Sequence, residues 1–141
     1  MRLSYFRLVA RPFPTTPDPQ FYYAATTHES ALERLRGALD DGEGLALLIG
    51  EPGTGKSLVA RMLLERTGPE VNSALVTNCR FSNTGDLLRA VLFDLGQPYR
   101  GLAEQELRLA LTEYLIDQFA QGRQTVLVFD EAQDLAPDLL N

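Results

Sequence analysis

The residues with the clearest chemical potential form one stretch, from Gly50 to Ser57, which reads GEPGTGKS. It fits the pattern G-x-x-x-x-G-K-[ST], in which backbone amides surround phosphate oxygens, a lysine binds the terminal phosphates and a hydroxyl binds Mg²⁺. From average glycine usage, a random chain of this length would match roughly once in a few hundred sequences. We interpret the stretch as a phosphate cradle. The alternative is a glycine-rich turn with a solvated Lys56.

Each position of this loop has an expected role. Its three glycines lack the Cβ that would obstruct the turn and the approach of phosphate, and Pro52 adds stiffness but has no N–H to donate. The helix that follows presents unpaired amides and a dipole that favour anions. Lys56 is expected to reach the β- and γ-phosphates and to assist catalysis, and Ser57 to bind Mg²⁺. The predicted ATP-binding residues are Gly50, Glu51, Pro52, Gly53, Thr54, Gly55, Lys56, Ser57 and Leu58.

A second group of residues suited to chemistry follows the apolar run 125–129, which reads as a buried strand. Asp130 and Glu131 come directly after it, and the carboxyl ends of parallel strands are where ligands gather. We expect Asp130 to hold Mg²⁺ through its water shell and Glu131 to activate the attacking water as the catalytic base. The alternative is a solvated acidic turn. Together with the upstream loop, the segment predicts a Walker A and Walker B pair.

Composition narrows the class of protein. The 141 residues fit one domain, 45% of them are hydrophobic, and the net charge of −6 gives no basic field for nucleic acid. Cys79 is the only cysteine, which excludes an internal disulfide, and we assign it no role. No apolar run is long enough for a membrane span, and no signal peptide is visible. We therefore expect a cytoplasmic protein.

Hydrophobic periodicity predicts alternating helices and strands, an α/β fold with a parallel sheet. Thr26 and Glu29 form a candidate capping box for the first helix. The predicted helices cover residues 26–40, 56–66, from 83 or 84 to 95, and about 103–121, and the predicted strands cover 45–49, 74–78 and 125–129. The buried face of the last helix is expected to contain Leu107, Ala110, Leu111, Tyr114, Leu115 and Phe119.

Both ends of the chain are unusual. Residues 1–25 carry four prolines and several aromatics, which predicts an extended arm packed on a core formed by residues 26–141. Pro137 suits the first position of a helix, yet the chain stops at Asn141. We therefore expect a domain that is incomplete at its C-terminus.

The chain resembles the ExeA-type (general secretion pathway protein A) branch of the AAA+ ATPases. Four segments carry the resemblance across nearly the whole chain: the proline arm with residues 21–23 and His28, the loop 50–57 after 45–49, Asn78 at the end of the second strand, and residues 130–135. The resemblance implies a three-layer P-loop NTPase fold of the AAA+ type. It also implies a first sensor, an arginine finger and a lid, which have no counterpart in this sequence.

The resemblance implies roles for further residues. Tyr22, Tyr23 or His28 is expected to line the adenine pocket, with anchoring of the arm as the alternative. Asn78 matches a polar switch residue that restrains the catalytic glutamate, although asparagine also commonly ends a strand.

The function that follows is binding and hydrolysis of ATP with Mg²⁺, in a homo-oligomer that assembles secretion or cell-envelope machinery. A cytoplasmic full-length protein of this kind could be attached to the inner membrane. Two alternatives remain. One is a nucleotide-dependent regulator of DNA transposition, and the other is a truncated remnant that binds ATP without turnover.

Overall fold

In the computed structural model, residue 7 and residues 16–140 are described, and the chain divides into two compact units, Met1–Arg66 and Thr67–Asn141. We call these the first and second units. Most of the predicted arm (residues 1–6 and 8–15) lies outside the described residues. The elements are α1 (Thr26–Asp40), α2 (Lys56–Arg66), β1 (Val71–Val76), α3 (Thr84–Asp94), α4 (Glu104–Ala120) and β2 (Gln124–Phe129), with 3-10 turns at Pro19–Phe21, Ala132–Asp134 and Pro137–Leu140.

The first unit is built on the contact between α1 and α2. Leu32 of α1 and Val59 and Leu63 of α2 are buried together, which removes the apolar stripes of both helices from water. The partly buried residues around them are Tyr22, Ala31, Leu35, Leu39, Leu48 and Met62. The predicted bounds of both helices are confirmed.

The capping box expected at the start of α1 is wrong. Ala25 is the N-cap residue, and no side chain caps the helix. The Glu29 side chain instead accepts hydrogen bonds from Tyr22 and Arg66, partners outside α1. The Glu29 carboxylate therefore forms a tertiary ion pair with Arg66 instead of the capping hydrogen bond that the local motif predicts.

The strand predicted at residues 45–49 does not form. The segment is irregular, and Leu45, Leu47 and Ile49 are 79%, 73% and 86% exposed. An apolar run becomes a buried strand only when neighbouring strands accept and donate its backbone hydrogen bonds. Among the described residues the sheet has two strands, β1 and β2, and neither pairs with this segment.

The second unit contains a parallel sheet, and its register runs from Val71 opposite Gln124 to Val76 opposite Phe129. The predicted α/β class with a parallel sheet is thus confirmed, although with two strands instead of three. β1 lies earlier than the predicted 74–78 and ends at Val76. The Val76 carbonyl accepts a hydrogen bond from the Asp130 amide at 2.9 Å, which aligns the end of β1 with the residue following β2.

Helix α3 begins as the sequence predicted. The Asn83 side chain accepts a hydrogen bond from the Asp86 amide at 2.9 Å, which is the usual capping geometry. α4 begins where the Glu106 carboxylate accepts the Ala103 amide at 2.7 Å, and it ends before Gly122, whose φ is +73°.

One residue on the predicted buried face of α4 is misplaced. Phe119 is 82% exposed, whereas the neighbouring Gln118 is 8% exposed. The Gln118 amide oxygen accepts a hydrogen bond from the Asn72 side chain at 2.6 Å. Gln118 lies three turns after the fully buried Leu107, so helical geometry places both on one face. A satisfied polar pair therefore occupies the position where the pattern favoured an aromatic ring.

Leu107 and Leu109 provide a matched test of this packing, because they lie two residues apart on α4 and are 0% and 62% exposed. We expect Leu107→Ala to lower the free energy of unfolding by about 2–5 kcal/mol, since it leaves a cavity. Leu109→Ala should change it by less than about 0.5 kcal/mol. Urea denaturation followed by circular dichroism measures both, and equal effects would contradict the orientation of α4.

Candidate nucleotide-binding site

The loop Gly50–Ser57, called the P-loop below, makes a tight turn before α2. Gly53 and Gly55 have φ angles of +80° and +85°, a conformation that residues with a Cβ rarely adopt. The Thr54 hydroxyl donates a hydrogen bond to the Glu51 carbonyl at 2.8 Å and closes the turn. A Cβ at Gly50 would lie 3.0 Å from the Thr54 hydroxyl oxygen, so a larger residue there would press on the side chain that closes the turn.

Lys56 turns back over this loop. Its ammonium donates hydrogen bonds to the Gly50 and Glu51 carbonyls, each at 2.9 Å. The positive charge is therefore held against the first two residues of the loop by neutral acceptors. A phosphate oxygen is a stronger acceptor for an ammonium than a neutral carbonyl.

Four backbone amides of the P-loop are free to bind a ligand. Within the part of the chain that the structure describes, the N–H groups of Gly53, Gly55, Lys56 and Ser57 donate no hydrogen bond. The last two belong to the first turn of α2, where amides have no intrahelical acceptor and the helix dipole is positive. Free amides beside an ammonium are chemically suited to a polyanion such as a nucleotide triphosphate.

The P-loop is contacted directly by His28 of α1, a contact that residue spacing did not predict. His28 Nε2 lies 2.9 Å from the Thr54 carbonyl oxygen, and a Cβ added to Gly55 would lie 3.3 Å from two atoms of the His28 ring. The resemblance placed His28 near the adenine, but the periodicity of α1 gave no signal for this contact. The ring is half-buried and its centroid lies 6.1 Å from that of Tyr22.

Beside His28, an ion pair joins the start of α1 to the end of α2. Arg66 donates two hydrogen bonds to the Glu29 carboxylate, at 2.9 and 3.0 Å, and the Tyr22 hydroxyl donates a third at 2.8 Å. The Arg66 guanidinium also lies 5.4 Å from the centre of the Tyr22 ring. These hydrogen bonds, led by that from Arg66, lower the pKa of Glu29 to about 2. Tyr22 is half-buried in this network, whereas Tyr23 is 81% exposed.

In the second unit, Asp130 and Glu131 lie just beyond the carboxyl end of β2, where the sequence predicted them. The Asp130 carboxylate accepts the Glu131 amide at 3.0 Å. Glu131 is exposed, and its φ and ψ of 55° and 40° are left-handed, which is uncommon for a residue other than glycine. Its carboxylate accepts a hydrogen bond from Gln133. The two carboxylates thus have different partners, the Glu131 amide for Asp130 and the Gln133 side chain for Glu131, and no sequence pattern indicated the left-handed backbone.

Asn78 and Cys79 lie in the segment between β1 and α3. The Cys79 thiol is 0% exposed and donates a hydrogen bond to the Asp130 carbonyl at 3.0 Å. Burial raises the pKa of this thiol, and the nearby Asp130 carboxylate raises it further. The exposed Asn78 side chain accepts the Arg80 amide at 3.1 Å, which forms a local turn two residues after β1 ends at Val76.

The candidate site residues thus fall into two contiguous groups. The P-loop and Leu58 belong to the first unit, and Asp130 and Glu131 belong to the second. A shared Mg²⁺ site formed by Ser57 and Asp130 stays a prediction.

A glycine loop that opens a helix, together with carboxylates at the end of a parallel strand, defines the P-loop NTPase class. Comparison with known proteins makes this more specific. Residues 39–141 match a family model described as an AAA domain. The chain therefore belongs to the AAA domain family, in agreement with the resemblance seen in its sequence.

The chain is also similar to the General secretion pathway protein A of Aeromonas hydrophila, with 36% identity over 141 residues. This similarity covers 99% of the chain but 26% of the relative, so the chain spans about a quarter of that protein's length. No solved structure matches the chain significantly. Among the described residues, no helix is both long and apolar enough to cross a bilayer.

The low pKa of Glu29 gives a prediction about acid stability. Because its pKa is about 2 when folded and 4.5 ordinarily, the ionised carboxylate stabilises the fold above pH 4.5, and this stabilisation is lost as pH falls toward 2. Glu29→Gln should therefore be less stable than the parent protein at pH 7, and the difference should shrink between pH 4.5 and pH 2.

Urea denaturation at pH 7 and at pH 3 measures this difference. Glu33→Gln, a change on the exposed side of the same helix, serves as the control and should show a smaller effect at both pH values. A stability difference for Glu29→Gln that stays constant with pH would mean that the ion pair does not contribute in solution.

Proposed function

We propose that the chain is an ATP-binding and ATP-hydrolysing domain that works with Mg²⁺. The observation that carries this proposal is the P-loop, whose unpaired amides and folded-back Lys56 ammonium form a cradle for a polyphosphate. Residues 26–141 would form the ATPase domain, and residues 1–25 would pack on it as an arm. Membership in the AAA domain family supports the same activity.

Binding in this proposal exchanges the partners of Lys56. Its ammonium would leave the Gly50 and Glu51 carbonyls for the β- and γ-phosphates, while the amides at the start of α2 donate to phosphate oxygens. Ser57 would hold Mg²⁺ directly and Asp130 through its water shell. When bound, Mg²⁺ neutralises charge on the phosphate oxygens.

Hydrolysis requires a base that orients water toward the γ-phosphate. Glu131 is the candidate, because its exposed carboxylate follows the end of β2 next to Asp130. It would accept a hydrogen bond from the attacking water, and Lys56 would stabilise negative charge on the transferred phosphoryl group.

The biological setting follows from the relative. By its name the Aeromonas protein acts in general secretion, and we extend that role to this chain: nucleotide-driven assembly of a secretion or envelope machine, in a homo-oligomer, from the cytoplasm.

A second candidate function is ATP binding without turnover. The observation that favours it is the hydrogen bond from Gln133 to the Glu131 carboxylate. This bond uses an oxygen of the carboxylate that is proposed to accept a hydrogen bond from water. Measuring binding and turnover separately distinguishes the two functions.

Lys56 is the only lysine of the chain, which makes the binding proposal sharply testable. We expect Lys56→Ala to reduce ATP affinity at least about 100-fold, since it removes a charge-assisted contact to the phosphates. Isothermal titration calorimetry measures the affinity, and Arg36→Ala, at an exposed ion pair on α1, is the control.

Chemical labelling provides an independent measurement. An amine-reactive acyl phosphate of ATP should modify Lys56 in preference to the N-terminal amine, and free ATP should protect it. Labelling of both amines without protection by ATP would show that the P-loop does not select a nucleotide.

Glu131→Gln tests the catalytic assignment. It should retain ATP affinity within about two-fold but lower turnover by roughly 100-fold or more, because the amide cannot act as a base. Phosphate release under saturating MgATP measures turnover, with the exposed Glu113→Gln on α4 as the control. Unchanged turnover would remove Glu131 from the mechanism, and a parent protein that binds ATP without turnover would favour the second candidate function.

A further inference from the structure

We infer that His28 is a positioning residue for the P-loop, which it holds in its nucleotide-binding shape from outside the loop. The inference rests on the proposed function for its effect on ATP affinity. Its effect on the free loop is independent of that function.

The hydrogen bond identifies the donor nitrogen of the His28 ring. The Thr54 carbonyl oxygen can only accept, so His28 Nε2 carries the hydrogen and donates it over 2.9 Å. In a neutral ring, Nδ1 is then an acceptor, and it is buried without a hydrogen-bond partner among the described residues. The donor nitrogen therefore faces the loop backbone.

The ring also contacts the next residue of the loop. A Cβ on Gly55 would lie 3.3 Å from both Cε1 and Nε2 of His28, closer than most such contacts. His28 thus holds the Thr54 carbonyl and covers Gly55 with one planar side chain. These two residues immediately precede α2, whose first amides belong to the cradle.

The position of His28 is itself fixed by its neighbours. The adjacent Glu29 is bound by the Tyr22 hydroxyl and by Arg66, the last residue of α2. One turn further along α1, Leu32 is buried against α2. The first turn of α1 therefore contacts α2 at its C-terminal end through Glu29 and the loop before its N-terminal end through His28.

A loop that is already ordered loses less conformational entropy when it binds a ligand. Without the His28 hydrogen bond, the glycine-rich P-loop would sample more conformations, and nucleotide affinity would fall. His28 binds a carbonyl oxygen of the loop and leaves the loop amides free for the nucleotide. Its effect on affinity therefore comes from holding the backbone that positions those amides.

The experiment uses the full chain and separates the two properties of the ring. His28→Phe keeps an aromatic ring but removes the donor, His28→Ala removes both, and His28→Gln keeps an N–H donor at similar reach. Thr27→Ala, the exposed preceding residue, is the control. Hydrogen exchange of residues 50–58 without nucleotide reports on the loop, and calorimetry with ATP reports on affinity, at a temperature where thermal melts show every variant folded.

We expect His28→Phe and His28→Ala to speed exchange in residues 50–58 and to weaken ATP binding roughly five-fold, the worth of a typical hydrogen bond. His28→Gln should restore both, and Thr27→Ala should change neither. A histidine that serves the core alone would lower the melting temperature of every variant and leave exchange in the loop and ATP affinity unchanged.

The outcomes distinguish this inference from the proposed function. If the parent protein fails to bind ATP, the proposed function fails, and the exchange data still decide whether His28 positions the loop. If the parent binds ATP and the His28→Phe and His28→Ala variants match it in both exchange and affinity, the inference about His28 fails alone.

Discussion

The first unit depends on how the P-loop divides its hydrogen-bonding groups. Three side chains, those of Lys56, Thr54 and His28, all bind backbone carbonyl oxygens of the loop. Its amides at Gly53 and Gly55 and at the start of α2 donate to no described residue. The Thr54 amide donates to the Glu51 carbonyl within the turn, and side chains supply the other donors that the loop carbonyls need. One of these side chains, His28, comes from α1, whose apolar face packs on α2.

Much of this architecture could be predicted from the sequence. The helix bounds at Thr26–Asp40 and Lys56–Arg66 follow from short-range periodicity, and the cap at Asn83 follows from local hydrogen-bonding chemistry. The P-loop pattern likewise depends on residues within one turn of each other. Local rules were sufficient wherever the interacting partners are close in sequence.

The predictions failed where a distant partner decides the outcome. Residues 45–49 have strand composition, but a strand also needs neighbours, and residue type does not supply them. Glu29 formed an ion pair with Arg66, 37 residues away, instead of a capping box. Gln118 took the buried position on α4 through Asn72. Residue spacing also gave no indication of the left-handed backbone at Glu131 or of the contact between His28 and Thr54.

Cys79 has a consequence that extends beyond packing. Its thiol is fully buried and donates a hydrogen bond to the Asp130 carbonyl oxygen, in the turn that carries the two carboxylates. A reagent can reach this sulfur only when the packing around it opens, and that packing includes α3 and both strands as well as the turn. As the only thiol in the chain, it makes the rate of alkylation a measure of how often the core of the second unit opens beside the acidic turn.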